Sequence, residues 1–186
     1  ILSASDQERE LARDGTRLIV IFLDDYHVRR INSMRVRAQL ARFVSELTNH
    51  DLVAVITPLM PASALAFSYN HGATAQVVAA FDGRKYDYTA RNPMEAQYQQ
   101  LPPEQIEQIR NRMVLSTLES VCTYLGAIRD GRKMLLFVSE GLNSSVPMGM
   151  SVGGTLLGSG SPMSNNALDM QSSFSRVYQA AARANT

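Results

Sequence analysis

A chain of 186 residues, 45% apolar and 19% charged, has the composition of one folded domain with a real core, which excludes a disordered tail or a low-complexity scaffold. Eighteen Lys and Arg against 17 Asp and Glu leave a net charge of +1, so bulk charge selects neither nucleic acid nor an anionic membrane. The single cysteine, Cys122, excludes an internal disulfide and a thiolate zinc cluster, and no apolar run approaches the roughly 20 residues of a membrane span.

Residues 1–16 read as an N-terminal extension, with a short charged helix over Ser5 to Arg13 and a turn at Asp14-Gly15. Ile1 is neither an initiator Met nor the start of a signal peptide, so an export signal removed upstream is compatible with the sequence. Leu18 to Leu23, rich in β-branched types, is the pattern of a central strand of a parallel sheet, buried on both faces. It breaks into Asp24-Asp25-Tyr26-His27. Next, Asn32 or Ser33 caps a helix with apolar positions Val36, Leu40, Phe43, Val44 and Leu47, while Arg30, Arg35, Arg37 and Arg42 lie mostly off that stripe and read as a solvated face. Leu52 to Thr57 is a second buried strand, and Ala64 to Tyr69 an edge strand too closely connected to it to be anything but antiparallel.

Gly72 to Phe81 reads as a small helix ended by Asp82-Gly83, followed by a long polar loop over residues 84–101. That loop interleaves Tyr86, Tyr88 and Tyr98 with Arg84, Lys85 and Arg91. Rings that anchor an insertion explain this mixture more economically than a single-strand nucleic-acid surface. Pro102-Pro103 opens the longest helix, whose stripe includes Ile106, Ile109, Met113, Leu118, Val121, Cys122 and Leu125, so Cys122 is expected to be an inert core thiol. Lys133 to Ser139 is a third strand tipped by Glu140, and residues 143–166 form a second long loop before a last helix with Phe174, Val177, Tyr178 and Ala181. In a β-α alternation a strand should follow, so one or more last strands are expected to come from residues beyond this sequence.

Ligands of open α/β sheets bind outside the carboxyl ends of the strands, where Asp24, Asp25 and Glu140 converge if the first and third strands are neighbours. Such an oxygen-rich cluster, joined by the Thr89 hydroxyl, suits Mg²⁺; strand-tip acids equally serve as helix caps and salt-bridge partners for residues such as Arg29. His27 is expected to bond the neighbouring loop rather than to act in catalysis.

These elements, with Phe22-Leu23-Asp24-Asp25-Tyr26-His27-Val28, Gly83-Arg84-Lys85-Tyr86-Asp87-Tyr88-Thr89 and Val138-Ser139-Glu140-Gly141, resemble the von Willebrand factor A-related proteins of soil bacteria such as Acidobacteria. The resemblance covers 17–186. It implies an α/β three-layer sandwich, doubly wound around a mostly parallel sheet with one antiparallel edge strand, and an extracytoplasmic, non-enzymatic domain that binds a protein partner through Asp24, Asp25, Tyr26, His27, Thr89 and Glu140. It further implies a metal-ion-dependent adhesion site, here degenerate: Asp24, Thr89 and Glu140 stand at ligand positions, while Tyr26 and Val28 replace the two serines. The alternative is a hydrolytic or phosphoryl-transfer enzyme, or a receiver-like signalling domain, working through Asp24 and Asp25. The receiver lacks an acceptor Asp at Thr57-Pro58, and the phosphatase pattern meets Tyr26 where it needs a second Asp.

Overall fold

The computed structural model describes residues 15–128, 131–142 and 162–186. The expected Ser5–Arg13 helix and residues 143–161 of the second loop lie outside the described residues. Three strands, β1 (Arg17–Leu23), β2 (Asp51–Ile56) and β3 (Lys133–Val138), form an all-parallel sheet in the order β2-β1-β3. Among the described residues five helices accompany them: α1 (Arg30–Ser45), α2 (His71–Ala79), α3 (Pro93–Ala96), α4 (Pro103–Ile128) and α5 (Pro162–Arg183).

β1 sits in the middle because its side chains are apolar on both faces, and the alternation of a strand sends them to two separate cores. Leu18, Val20 and Phe22 pack with Val114, Leu118, Val121 and Leu125 of α4. Ile19, Ile21 and Leu23 pack with Leu40 and Val44 of α1 and Ala75 and Val78 of α2. Helices therefore cover both faces, and each fully buried aliphatic side chain of β1 contributes about 1.5–3 kcal/mol. Cys122 is fully buried on α4, where burial pushes its thiol pKa up, as expected of a core thiol.

Three expectations are corrected. The antiparallel edge strand over Ala64 to Tyr69 reduces to one bridge, in which Val53 and Ser68 exchange hydrogen bonds of 3.1 and 3.0 Å. A 3₁₀ turn at Ala62–Ala64 precedes it, and Asn70 accepts from the Ala73 amide to cap α2 just after it, so no ladder can extend. α1 starts at Arg30, ahead of Asn32 and Ser33, because its cap is supplied from outside the helix. The second long loop ends earlier than Asn166, since Pro162 opens α5 with a backbone angle already suited to a first helical turn.

The amino ends of the strands are tied locally. Arg17 donates from Nε and Nη2 to the two Asp51 oxygens at 2.5 and 2.8 Å, and Thr48 adds its amide and hydroxyl at 2.7 and 2.8 Å. At the start of β3, the Lys133 amide and Nζ donate to the Asn185 and Ala184 carbonyls at 3.0 and 2.8 Å, seating the end of α5. Among the described residues, no helix is long and apolar enough to cross a membrane.

Candidate functional site at the carboxyl end of the sheet

The neighbouring positions of β1 and β3 bring Asp24, Asp25, His27 and Glu140 to one end of the sheet, where the Asp24 amide donates to the Val138 carbonyl at 3.0 Å. Asp24 is fully buried. Its Oδ2 accepts from the Ser139 hydroxyl at 2.7 Å, its Oδ1 accepts from the His27 amide at 3.2 Å, and His27 Nδ1 lies 3.0 and 2.9 Å from the two oxygens. An ionised Asp24 requires the proton on Nδ1. His27 is thus held by the strand tip itself rather than by a neighbouring loop. Its Nε2 is buried without a hydrogen-bond partner, 3.8 Å from Glu107 Oε2 of α4.

Asp25 turns the other way. Its carbonyl accepts from the Arg84 amide at 2.7 Å, and its carboxylate accepts from Arg84 Nε at 2.7 Å. Arg84 reaches on to Glu95, with Nη1 to Oε2 at 2.8 Å and Nη2 to Oε1, a forked contact between side chains that are almost wholly buried. Tyr26 is buried beside this pair. Its hydroxyl donates to Glu95 Oε1 at 3.1 Å, and the Arg84 and Arg110 guanidinium carbons lie 4.6 and 4.7 Å from its ring centroid. Burial lifts the Asp25 carboxyl above its ordinary range, an effect that the Arg84 charge offsets only in part. Burial alone would raise Glu95 too, but the Arg84 guanidinium, the Arg91 amide and the Tyr26 hydroxyl outweigh it, so its pKa falls to about 2.

The 84–101 segment is therefore an organised insertion. Asn92 caps α3 by accepting from the Glu95 amide at 2.9 Å, and this turn delivers the Glu95 carboxylate inward. The segment enters beside β1 through Gly83, where a Cβ would stand 2.3 Å from the Val28 carbonyl oxygen, so only glycine permits this approach. Tyr98 is buried, as expected of an anchoring ring, and Arg110 lies 5.1 Å from the Tyr88 ring. Tyr86 holds a left-handed φ of 70°.

Glu140 supplies the external cap of α1. It accepts from the Arg29 amide at 2.8 Å, Arg29 Nε at 2.8 Å and Asn32 Nδ2 at 2.7 Å, with Lys85 Nζ at 3.8 Å. Its burial would raise its pKa, yet these donors hold it below the usual carboxylate range. Thr89 is exposed, and its amide donates to Asp87 at 3.0 Å.

The expected residues are thus gathered in part. Asp24, Tyr26 and His27 lie under the surface and cannot touch a partner directly, whereas Asp25, Glu140 and Thr89 reach it. The donor set does not suit Mg²⁺. Each strand-tip carboxylate has its own internal partners, cationic Arg84, Arg29 and Lys85 among them, and among the described residues no group of three His, Cys, Asp or Glu side chains is placed to hold a metal ion. Sequence reasoning missed Glu95, Glu107, Arg110 and Ser139. Two signals pointed to the first three and none to Ser139: Asn92-Pro93-Met94-Glu95 has helix-start spacing, and Glu107 and Arg110 interrupt the apolar stripe of α4.

No family model, curated protein or solved structure matches the chain. Fold and site together define an α/β protein with, among the described residues, a three-stranded parallel sheet and at its carboxyl edge a cluster of buried polar side chains fastened by the Arg84–Glu95 ion pair.

Proposed function

We propose that the chain is a non-enzymatic protein-recognition domain of von Willebrand factor A type, a doubly wound sandwich with a degenerate adhesion site that works without metal. Its contact surface is the rim at the carboxyl end of the sheet, formed by Asp25, Thr89, Glu140 and the adjoining Arg29 and Tyr86. The observation that carries this reading is the saturation of the strand-tip acids: Asp24 by His27 and Ser139, Asp25 by Arg84, Glu140 by Arg29 and Asn32. Carboxylates so engaged are poor nucleophiles and poor cation ligands, but they make a rigid floor for a binding rim. The left-handed Tyr86 adds support, because a bulky residue in that conformation costs about 1–3 kcal/mol and such strain gathers at binding sites. The family resemblance extends the proposal to an extracytoplasmic setting.

The test uses the folded chain as immobilised bait in an extract of its source cells, beside a Thr89→Arg variant. One protein retained by the parent and lost by the variant supports the rim. In parallel, thermal unfolding with millimolar Mg²⁺ or Mn²⁺ is expected to leave the melting temperature unchanged. A rise abolished by Asp24→Ala would restore the metal site, and phosphatase turnover abolished by the same change would replace recognition with catalysis.

A further inference from the structure

Lys85 is a surplus cation that neither the core nor the strand tips explain. Its backbone is pinned beside β1, where its amide donates to the Val28 carbonyl at 3.0 Å, and its side chain is only 6% exposed. Nζ itself still touches solvent, and among the described residues it makes no hydrogen bond: Glu140 Oε2 lies 3.8 Å away and the Tyr86 ring centroid 5.6 Å away. Glu140 is satisfied without it. The same Oε2 accepts from Arg29 Nε at 2.8 Å, while Oε1 accepts from the Arg29 amide and Asn32 Nδ2 at 2.8 and 2.7 Å.

Two cations therefore face one carboxylate oxygen, which leaves a positive charge over at this point. The Arg29 side chain is 57% exposed, and its two terminal nitrogens make no hydrogen bond among the described residues. The start of α1 adds to the excess, since the first-turn amides of Arg30 and Ile31 have no acceptor among the described residues. Packing does not account for this arrangement. An ammonium whose stem is covered and whose three donors have no acceptor is costly to keep unless the acceptor comes from outside.

We infer that Lys85, Arg29 and the first turn of α1 form a binding site for a single carboxylate of the protein partner; this rests on the proposed recognition function and names the group that the rim takes. A carboxylate has two oxygens, one for the free end of the Arg29 fork and one for the Lys85 ammonium. The single surplus charge suits a monoanion. A phosphate would bring a second negative charge beside Glu140 with nothing to offset it. The Tyr86 ring next to Nζ gives an apolar wall for the chain that carries the carboxylate, which favours a peptide over a free ion.

The probes are short synthetic peptides titrated into the isotope-labelled full chain and followed by amide chemical shifts: one with an internal Glu and blocked ends, one with a free carboxyl end and no acidic side chain, and a neutral control with Gln and blocked ends. Saturating shifts at Arg29 to Ile31 and at Lys85 and Tyr86 are expected with a carboxylate peptide and not with the control, and the tighter of the first two identifies the source of the carboxylate. Lys85→Met keeps the stem and is expected to weaken binding about tenfold or more. An unchanged melting temperature establishes that the variant is folded, and Lys85→Gln takes its place if it is not. Absence of shifts at these residues, equal affinity for the control, equal affinity in the folded Lys85 variant, or tighter binding of inorganic phosphate would each overturn the inference. The two readings fail separately. If the extract partner survives Lys85→Met but is lost on Thr89→Arg, the rim stands without the carboxylate site; if Thr89→Arg has no effect, the rim reading fails.

Discussion

The two ends of the β1 strand solve the same problem differently. Each must satisfy the hydrogen bonds of a fully buried carboxyl group: Asp51 at the amino end and Asp24 at the carboxyl end. The amino end does so with neighbours. Thr48, three residues from Asp51, supplies two donors, and Arg17, 65% exposed, closes the pair from the solvent side. The carboxyl end draws on residues far apart in the chain, from Ser139 on β3 to Arg84 and Glu95 in the insertion, and it leaves His27 Nε2, Glu107 Oε1 and Arg110 Nε and Nη1 without hydrogen-bond partners. A buried polar group without a partner costs about 1–3 kcal/mol. The amino end is optimised for stability, whereas the carboxyl end tolerates incomplete pairing, which is expected where a surface is kept for recognition.

The sharpest way to break this contrast is Arg84→Ala. It strands the buried Glu95 carboxylate and removes the partner of Asp25, so a loss of about 3–5 kcal/mol in urea unfolding is expected. A loss below about 1 kcal/mol would mean that the insertion is not fastened by this pair. Acid unfolding reads the same pair by another route. The folded Glu95 pKa is depressed from 4.5 to about 2, so its stabilisation is complete above pH 4.5 and disappears as pH falls toward 2, on the order of 3 kcal/mol in all. Asp51 and Glu140, also lowered, act in the same direction, while the raised Asp25 acts against them. In Arg84→Ala, Glu95 keeps its burial without its guanidinium, so this acid-side loss is expected to vanish or reverse sign.

Gly83→Ala probes the insertion through its backbone and leaves every charge in place. Its Cβ would meet the Val28 carbonyl, and backbone cannot move aside as a side chain can. A loss of about 1–3 kcal/mol is expected, with Arg84 pulled from Asp25 and the amide shifts of residues 25–28 moved. An unperturbed alanine variant would show that the 83–85 segment is not pressed against β1.

How much of this is legible in the sequence follows from distance along the chain. Leu18 to Leu23 declares a central strand because burial on both faces leaves no polar position, and its partners β2 and β3 carry the same mark. The acids at its tip are equally visible. Of their partners, Arg29 is anticipated as a salt-bridge partner for a strand-tip acid, and Glu140 is the acid that meets it; Arg84, 59 residues from Asp25, lies beyond any periodicity. The start of α1 is misplaced for the same reason, its cap coming from Glu140 rather than from Asn32 or Ser33. A polar stretch without helical period reads as loop, so residues 84–101 hide an ordered insertion whose Glu95 is a buried anchor. Arg110 stands out in the apolar stripe of α4, but its partners Tyr26, Tyr88 and the Asp87 carbonyl lie too far along the chain to be read from it.

The smallest expected effect belongs to Arg17→Ala, the amino-end counterpart of Arg84→Ala. Both arginines make forked contacts to a buried carboxylate, so distance alone predicts similar losses. Surroundings predict otherwise. Arg17 is mostly in water, where its charge is well solvated without a partner, and Asp51 keeps the Thr48 amide and hydroxyl when the guanidinium is gone. The melting temperature of Arg17→Ala is therefore expected to stay close to that of the parent, a small fraction of the fall seen for Arg84→Ala. Equal losses in the two variants would mean that desolvation does not separate the two ends, and the carboxyl end would lose its claim to be built differently.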